Sequence, residues 1–287
     1  MSRSVVYPGA MRRRSLLALA LTGLAAVLAA PTAPAAVVDG ERAKRFVVKL
    51  SANGHRVAGT PNERRGAYLV QQRFRKFELP VTIQKFRLPN GRNSRNVIAK
   101  TGGPVRVLVV AHMDSVRAGP GANDNGSGVA AMLEVANVLK ETEGIWFAAL
   151  GAEEREMTGS HLHLGSDRLV RSIPRIVRPQ IVLALSLDMV GYGPTLNIRG
   201  LEASPNRSAR RAINRARALG YGPSYLRDSG VSDHAEMTRG GIPAALVTYR
   251  WDTCWHLSCD RPARVVPRKM GNAARLTIAA IRKALDD

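Results

Sequence analysis

Two histidines and four carboxylates hold most of the chemistry open to this chain, and they stand out because each lies where an apolar run stops or in a braced loop. Residues 105–111 read as a buried strand, and His112-Met113-Asp114 follows at its end. Ten residues beyond Asp114, Asp124 lies within Gly121-Ala122-Asn123-Asp124-Asn125-Gly126-Ser127-Gly128, a run that opens a helical pattern. A second apolar run, 145–150, stops at Gly151-Ala152-Glu153-Glu154, and a third, 181–187, stops at Asp188. His256 lies between Cys254 and Cys259. In open α/β sheets the ligand crevice lies outside the carboxyl ends of the strands. Imidazoles and carboxylates that converge there make a zinc site. His112, Asp124, Glu154, Asp188 and His256 suit two zinc ions if one carboxylate bridges them. Neighbouring side chains point apart, so Glu153 is free to lean over the attacking water as a general base while Glu154 binds metal.

Each of these residues alone has a blander explanation, such as a strand-end cap or a solvated helix start. Five at the same kind of position in one α/β pattern are hard to obtain by chance. His161 and His163, a His-Leu-His pair, are expected at the surface because the ligand set is already complete without them.

The elements that must position the site alternate along the chain. Helical spacing marks 37–52, 63–77, 128–140, 208–219 and a closing helix with apolar residues from Met270 to Leu285. Thr60 or Asn62 is placed to cap the second helix, and Pro61 suits its first turn. Further strands are expected at 82–87, 96–100, 196–199 and 244–248. The stretch from Gly159 through Val170 reads as less regular, residues 229–236 as a polar turn, and 254–260 as a loop. This alternation predicts a single α/β/α domain with a mixed, mostly parallel central sheet. No internal repeat or linker divides it.

Residues 1–36 read as a signal peptide, which leaves 37–287 as the folded domain. Arg12-Arg13-Arg14 precedes an Ala/Leu-rich run, and Ala33-Pro34-Ala35 offers a small-residue cleavage pattern. The apolar run is shorter than the ~20 residues a spanning helix needs. Arg13-Arg14-Ser15-Leu16-Leu17 also fits the loose twin-arginine pattern. Loss of 1–36 removes four arginines and no acids, so the net charge falls from +21 to +17. The basic residues are scattered and aromatics are only 5% of the chain, which argues against a single-stranded nucleic-acid platform and for a solubilising surface. In an exported chain Cys254 and Cys259 favour a disulfide. The alternative, a zinc-thiolate site with His256, would crowd three ligands into six residues.

The linked motifs resemble metallopeptidase family twenty-eight: His112-Met113-Asp114-Ser115, the run around Asp124, Glu153-Glu154 before Thr158-Gly159-Ser160, and Leu187-Asp188-Met189-Val190-Gly191. Cys254-Trp255-His256-Leu257-Ser258-Cys259-Asp260 is similar to the secreted bacterial leucyl aminopeptidases of that family, and Arg56-Val57-Ala58-Gly59-Thr60 and Ser232-Asp233-His234 match it as well. The resemblance implies the zinc-peptidase, phosphorylase/hydrolase-like version of the α/β/α fold. It implies that His112, Asp124 and Asp188 hold one zinc, and that Asp124, Glu154 and His256 hold the other. Glu153 becomes the general base on the water between the ions, and Asp114 orients the His112 imidazole. It further implies a cis bond between Asp124 and Asn125 and a Cys254–Cys259 disulfide bracing the loop of His256. Trp255 departs from the pattern: some secreted relatives have a tyrosine there whose hydroxyl helps stabilise the oxyanion, and an indole N–H has a different reach.

The expectation is a secreted, monomeric metalloaminopeptidase that removes N-terminal residues, large apolar ones by family habit, from peptides with a free N-terminus. No specific nucleic-acid partner and no membrane anchor after processing are expected. The alternatives are a carboxypeptidase or glutaminyl cyclase on the same fold, or a non-catalytic basic protein that binds polyanions.

Overall fold

The structure, a computed structural model of the chain, describes residues 36–154 and 163–287. Residues 1–35 of the proposed signal peptide, Thr158-Gly159-Ser160 and His161 lie outside these residues. The chain from Ala35 to Asp287 forms one compact unit.

Its core is an eight-stranded sheet in the order β1-β2-β4-β3-β5-β8-β6-β7. The strands are β1 (Val81–Arg87), β2 (Asn93–Lys100), β3 (Val107–His112), β4 (Ile145–Leu150), β5 (Leu183–Leu187), β6 (Thr195–Gly200), β7 (Ser224–Arg227) and β8 (Ala244–Arg250). The central four, β4, β3, β5 and β8, are parallel. Antiparallel pairings join β1 to β2, β2 to β4 and β6 to β8, and a parallel one adds β7 at the far edge. The sheet is therefore mixed with a parallel centre. All six residues of β3 are buried, as a strand covered on both faces requires.

The period of two in a strand sorts β3 into two cores. Val107, Val109 and Ala111 face one layer, where they join Phe46 of α1 (Gly40–Ser51), Phe74 of α2 (Pro61–Lys76), Met132 of α3 (Gly128–Leu139), Ile213 of α5 (Arg207–Ala218) and Ile281 of α7 (Pro267–Asp286). Leu108 and Val110 face the other layer, with Leu169 of α4 (Leu164–Ser172) and Met237 of α6 (His234–Arg239). No helix among the described residues is long and apolar enough to cross a membrane.

Helices α4 and α6 differ from the sequence reading, and both cover the second face. The less regular stretch contains the helix α4, whose nine residues bring only Leu169 and Val170 as buried large apolar groups, too few to show a period. The polar turn 229–236 leads into α6, a six-residue helix in which the polar His234 is fully buried. Strand β7 is short and half-exposed at the sheet edge, which is why its alternation was not read. Strand β3 starts at Val107, two residues later than expected, because Arg106 N–H instead bonds Gly144 O (2.8 Å) at a turn.

Local caps agree with the fold. Asp39 accepts the backbone N–H groups of Glu41 (2.8 Å) and Arg42 (3.0 Å) at the start of α1. Thr60, rather than Asn62, caps α2 by accepting the N–H of Glu63 at 3.3 Å, a bond worth about 1 kcal/mol. The Glu63 carboxylate turns back to accept the Gly59 N–H (2.9 Å) and the Ser94 hydroxyl. It is wholly buried against β2 and the end of β4, where a Cβ on Gly151 would come within 2.6 Å of its Oε1. Burial pushes the Glu63 carboxyl up to about 7, and the bonds from Ser94 and Gly59 offset this only in part.

A carboxyl raised in the folded state favours folding while it is protonated, and that contribution is lost as pH rises from its ordinary value through about 7. In Glu63→Gln the amide oxygen keeps the Gly59 bond and the amide NH₂ keeps Ser94, but nothing ionises. Urea unfolding should show this variant gaining about 2 kcal/mol on the wild type between pH 5 and pH 8. Parallel stability profiles for the two proteins over that range would refute the assignment.

Candidate active site

The carboxyl ends of the parallel strands meet at one edge of the sheet. His112 closes β3 and pairs with Leu150, the last residue of β4. Asp188 follows β5, with its N–H bonded to Val247 O of β8 at 3.1 Å. Strand β8 then leads into the loop that holds His256, closed by a disulfide between Cys254 and Cys259. Asp124 lies in an irregular turn, Ala122–Ser127, that enters α3, and the Asp124–Asn125 peptide bond is cis.

These loops bring the five expected ligands together. His112 Nε2 is 3.2 Å from Asp124 Oδ1 and 3.5 Å from Asp188 Oδ1. His256 Nε2 is 3.3 Å from Asp124 Oδ2 and 3.1 Å from Glu154 Oε2. The two oxygens of Asp124 thus face different imidazoles. Donor atoms of His112, Asp124 and Asp188, of Asp124, Glu154 and His256, and of His112, Glu153 and Glu154 each lie within 4.8 Å of one another. Ligands at about 2.0–2.1 Å around a tetrahedral ion are spaced by about 3.3–3.4 Å, so the observed 3.1–3.5 Å fits that geometry. Asp188 Oδ1 and His112 Nδ1 are buried without a hydrogen-bond partner, as unfilled coordination and orienting positions would be.

Charge points the same way. Asp124, Glu153, Glu154 and Asp188 are all buried. Burial pushes Glu153 well above the usual carboxylate range; His112 opposes the shift, and Glu154 and Asp233 reinforce it. Burial and the Asp124 charge raise Glu154 to about 7 against the pull of His256. For Asp124 the burial penalty is outweighed by bonds from His112 and His256, which hold it below its ordinary value. Burial pulls down both imidazoles, yet the carboxylates win: His112 is held well above its ordinary value and His256 at about 10. A donor set of four carboxylates facing two imidazoles fits divalent cations.

Each ligand loop is pinned by a side chain from another loop. Asp114 accepts the backbone N–H groups of Glu153 (3.2 Å) and Glu154 (3.1 Å), and also faces His112 Nδ1 at 3.6 Å, an electrostatic contact beyond hydrogen-bond range. Asp260 accepts the N–H groups of Asn123 (2.7 Å) and Asp124 (3.0 Å). Asn125 brackets Asp188, donating to Leu187 O (2.9 Å) and accepting the Met189 N–H (3.2 Å). Arg56 is fully buried beneath the cluster and donates to Met113 O (2.8 Å), Pro120 O (2.5 Å) and Gly121 O (2.9 Å). Burial lowers its guanidinium to about 10, against the pull of Asp114 and Asp260. Backbone strain collects here too: Ala152, Met189 and His256 have φ of 58°, 53° and 58°. Non-glycine residues in that region cost of order 1 kcal/mol each and persist only where their surroundings hold them.

The family-model comparison matches residues 96–281 to "Peptidase family M28". The chain belongs to peptidase family M28. It is 32% identical over 200 residues to the aminopeptidase YwaD of Bacillus subtilis, an alignment covering 63% of this chain and 42% of that one. The chain spans about half the length of the curated relatives it matches. Its fold is shared with the solved zinc aminopeptidase BSAP of Bacillus subtilis, at a TM-score of 0.80 and 21% identity over 87% of this chain and 95% of that one. A glutaminyl cyclase from Bacteroides thetaiotaomicron shares it as well, at 0.72 and 21% identity over 85% and 98%. At these identities the likeness is one of architecture.

Within this family site the structure corrects one expectation. His163 is not at the surface: it is 2% exposed, with Nε2 at 3.5 Å from Glu153 Oε1. The apolar face of α4 draws it inward, an element the sequence did not announce. Trp255 is 57% exposed and stacks on the His256 ring, with centroids 4.4 Å apart, so it stands at the rim. Sequence reasoning assigned no role to Asp260, Asn125 or Arg56. Asp260 closes the Cys254–Asp260 motif and Asn125 follows Asp124, but which backbone groups they bond cannot be read from spacing. Asp233 and His234 are fully buried, and His234 Nε2 faces Asp228 Oδ1 at 3.3 Å.

If Asp260 holds the Asp124 turn in place, Asp260→Asn sets an amide NH₂ against one of two backbone donors. Competitive titration with a chromogenic chelator should show zinc held about 10–100-fold more weakly, with the circular dichroism of the folded chain retained. Affinity within threefold of wild type would remove Asp260 from the account.

Proposed function

We propose that the chain is an exported zinc aminopeptidase that removes N-terminal residues from peptides. The observation that carries this reading is the convergence of two donor triads on the two oxygens of Asp124, with the Glu153 carboxylate beside them. In this reading His112, Asp124 and Asp188 hold one zinc, and Asp124, Glu154 and His256 hold a second. When bound, the ions supply Lewis-acid polarisation of the scissile carbonyl and acidify the attacking water.

The protein's own groups do the rest. Glu153 accepts the proton of the attacking water and passes it to the leaving amine nitrogen. Burial pushes its carboxyl toward the neutral form, and the neighbouring His112 opposes that shift. Asp114 fixes the backbone of Glu153 and Glu154 together, so the base and a ligand keep a constant spacing. The carboxylate-rich pocket attracts the α-ammonium of a substrate, which favours cleavage at a free N-terminus over cleavage within a chain. The half-exposed Trp255 and Leu257 on either side of His256 form an apolar rim, which supports a preference for large apolar N-terminal residues. Two complete triads favour a two-ion peptidase over a one-zinc cyclase on the same fold. Export rests on residues 1–36, read as a signal peptide, with 37–287 as the mature domain.

The mature chain should hydrolyse leucine p-nitroanilide, lose that activity on chelation and regain it with zinc. Glu153→Gln should keep its metal while turnover falls by at least about 10²-fold. A variant that retains more than a tenth of wild-type rate sinks the general-base assignment. With a peptide bearing N-terminal Gln, release of free glutamine supports the peptidase, whereas a pyroglutamyl peptide would establish the cyclase.

A further inference from the structure

The carboxylate of Glu153 has one side-chain neighbour at ion-pair distance among the described residues, and that neighbour is His163. Its Nε2 lies 3.5 Å from Glu153 Oε1 and its Nδ1 lies 3.4 Å from Glu236 Oε1. Glu236 Oε1 in turn accepts from Arg239 Nη1 at 2.5 Å. A file of four charged or ionisable groups thus leads from the cluster to the surface: the His163 side chain is 3% exposed, that of Glu236 17% and that of Arg239 50%. None of His163, Glu236 and Arg239 belongs to any of the three donor triads.

Backbone bonds fix His163 as firmly as its ring contacts do. Its N–H donates to Glu153 O (3.4 Å), and the N–H of Leu164 donates to Ala152 O (2.9 Å), so the chain returns beside the segment it left. Its own carbonyl accepts the Ser166 hydroxyl (2.9 Å) and the Asp167 N–H (3.1 Å) at the start of α4. His163 itself has φ of 51°, a conformation that costs a non-glycine residue energy and that these bonds hold. A histidine buried only for packing would satisfy its ring on backbone groups; this one turns both nitrogens to carboxylates.

We propose that His163 is a positioning residue for the reaction: braced by Glu236, its imidazole holds the Glu153 carboxylate in the rotamer that faces the attacking water. The proposal rests on the reading of Glu153 as general base. Glutamate has three side-chain torsions, and a base must stay within hydrogen-bond reach of the proton it takes. The contacts of 3.4–3.5 Å lie within ion-pair distance. Because the His163 ring contacts Glu153 and Glu236 and none of the five residues assigned to the metals, its loss is expected to act on turnover and not on zinc binding.

The test is steady-state hydrolysis of leucine p-nitroanilide by zinc-loaded wild type, His163→Phe, His163→Gln and Glu236→Gln, with zinc per chain and Tm measured for each. His163→Phe keeps the ring volume and removes both nitrogens; its kcat should fall about 10–100-fold, with KM within threefold and zinc content unchanged. His163→Gln restores a donor near Nε2 and should recover most of that loss. Glu236→Gln, at a partly exposed position where folding is not at stake, should lower kcat about two- to fivefold with KM unchanged. Wild-type kcat in both His163→Phe and Glu236→Gln overturns the proposal. So does a His163→Phe defect that appears as lost zinc and is cured by excess zinc. An inactive wild type with both ions bound would instead bring down the aminopeptidase reading, which separates the two failures.

Discussion

Four carboxylates buried within a few ångströms of one another are the constraint to which the rest of this structure answers. Their mutual repulsion in a poorly solvated pocket would eject them or protonate them unless positive charge and fixed donors were supplied. The fold supplies both. Arg56 lies beneath the cluster as a permanent cation, held by three backbone carbonyls. Two imidazoles stand between the carboxylates, and backbone N–H groups are turned onto Asp114 and Asp260, which surround the cluster without entering it. What remains uncompensated is the charge that metal ions are proposed to carry. The folded chain is thus prepared for cations, at a cost in strained φ angles at Ala152, Met189 and His256.

Architecture and site are joined through the parallel centre of the sheet. Strands β3, β4, β5 and β8 run the same way, so their carboxyl ends deliver His112, the Glu153-Glu154 pair, Asp188 and the His256 loop to one edge. Side chains that cross from one loop to another then lock the spacing. Asn125 ties the Asp124 turn to both sides of Asp188, and Asp260 ties the same turn to the His256 loop. A displacement of any one loop would therefore be felt by ligands on two others.

The convergence of these residues was legible in the sequence because His112, the Glu153-Glu154 pair and Asp188 each follow an apolar strand, and strand ends are where an α/β fold collects polar groups. The cap of α2, the disulfide and the cis bond were legible from local chemistry or family pattern. Helices α4 and α6 were not. Their buried faces include His163, Asp233 and His234, polar residues that a hydrophobic pattern counts as exposed. His163 and Asp233 are buried beside the cluster, so the chemistry of the site itself helped erase the signal of the helices behind it. Likewise Asp260 and Asn125 are ordinary turn residues by composition, and only the folded chain shows the distant N–H groups they bond.

The central claim is that this cluster is built for two zinc ions that share Asp124. Calorimetric titration of zinc into the purified, metal-free mature chain tests it most directly, run in two buffers of different ionisation enthalpy. The account predicts saturation at two ions per chain with net release of protons, because the raised groups Glu154 and His256 must give theirs up to bind. Saturation at one ion, or binding without proton release, would contradict it.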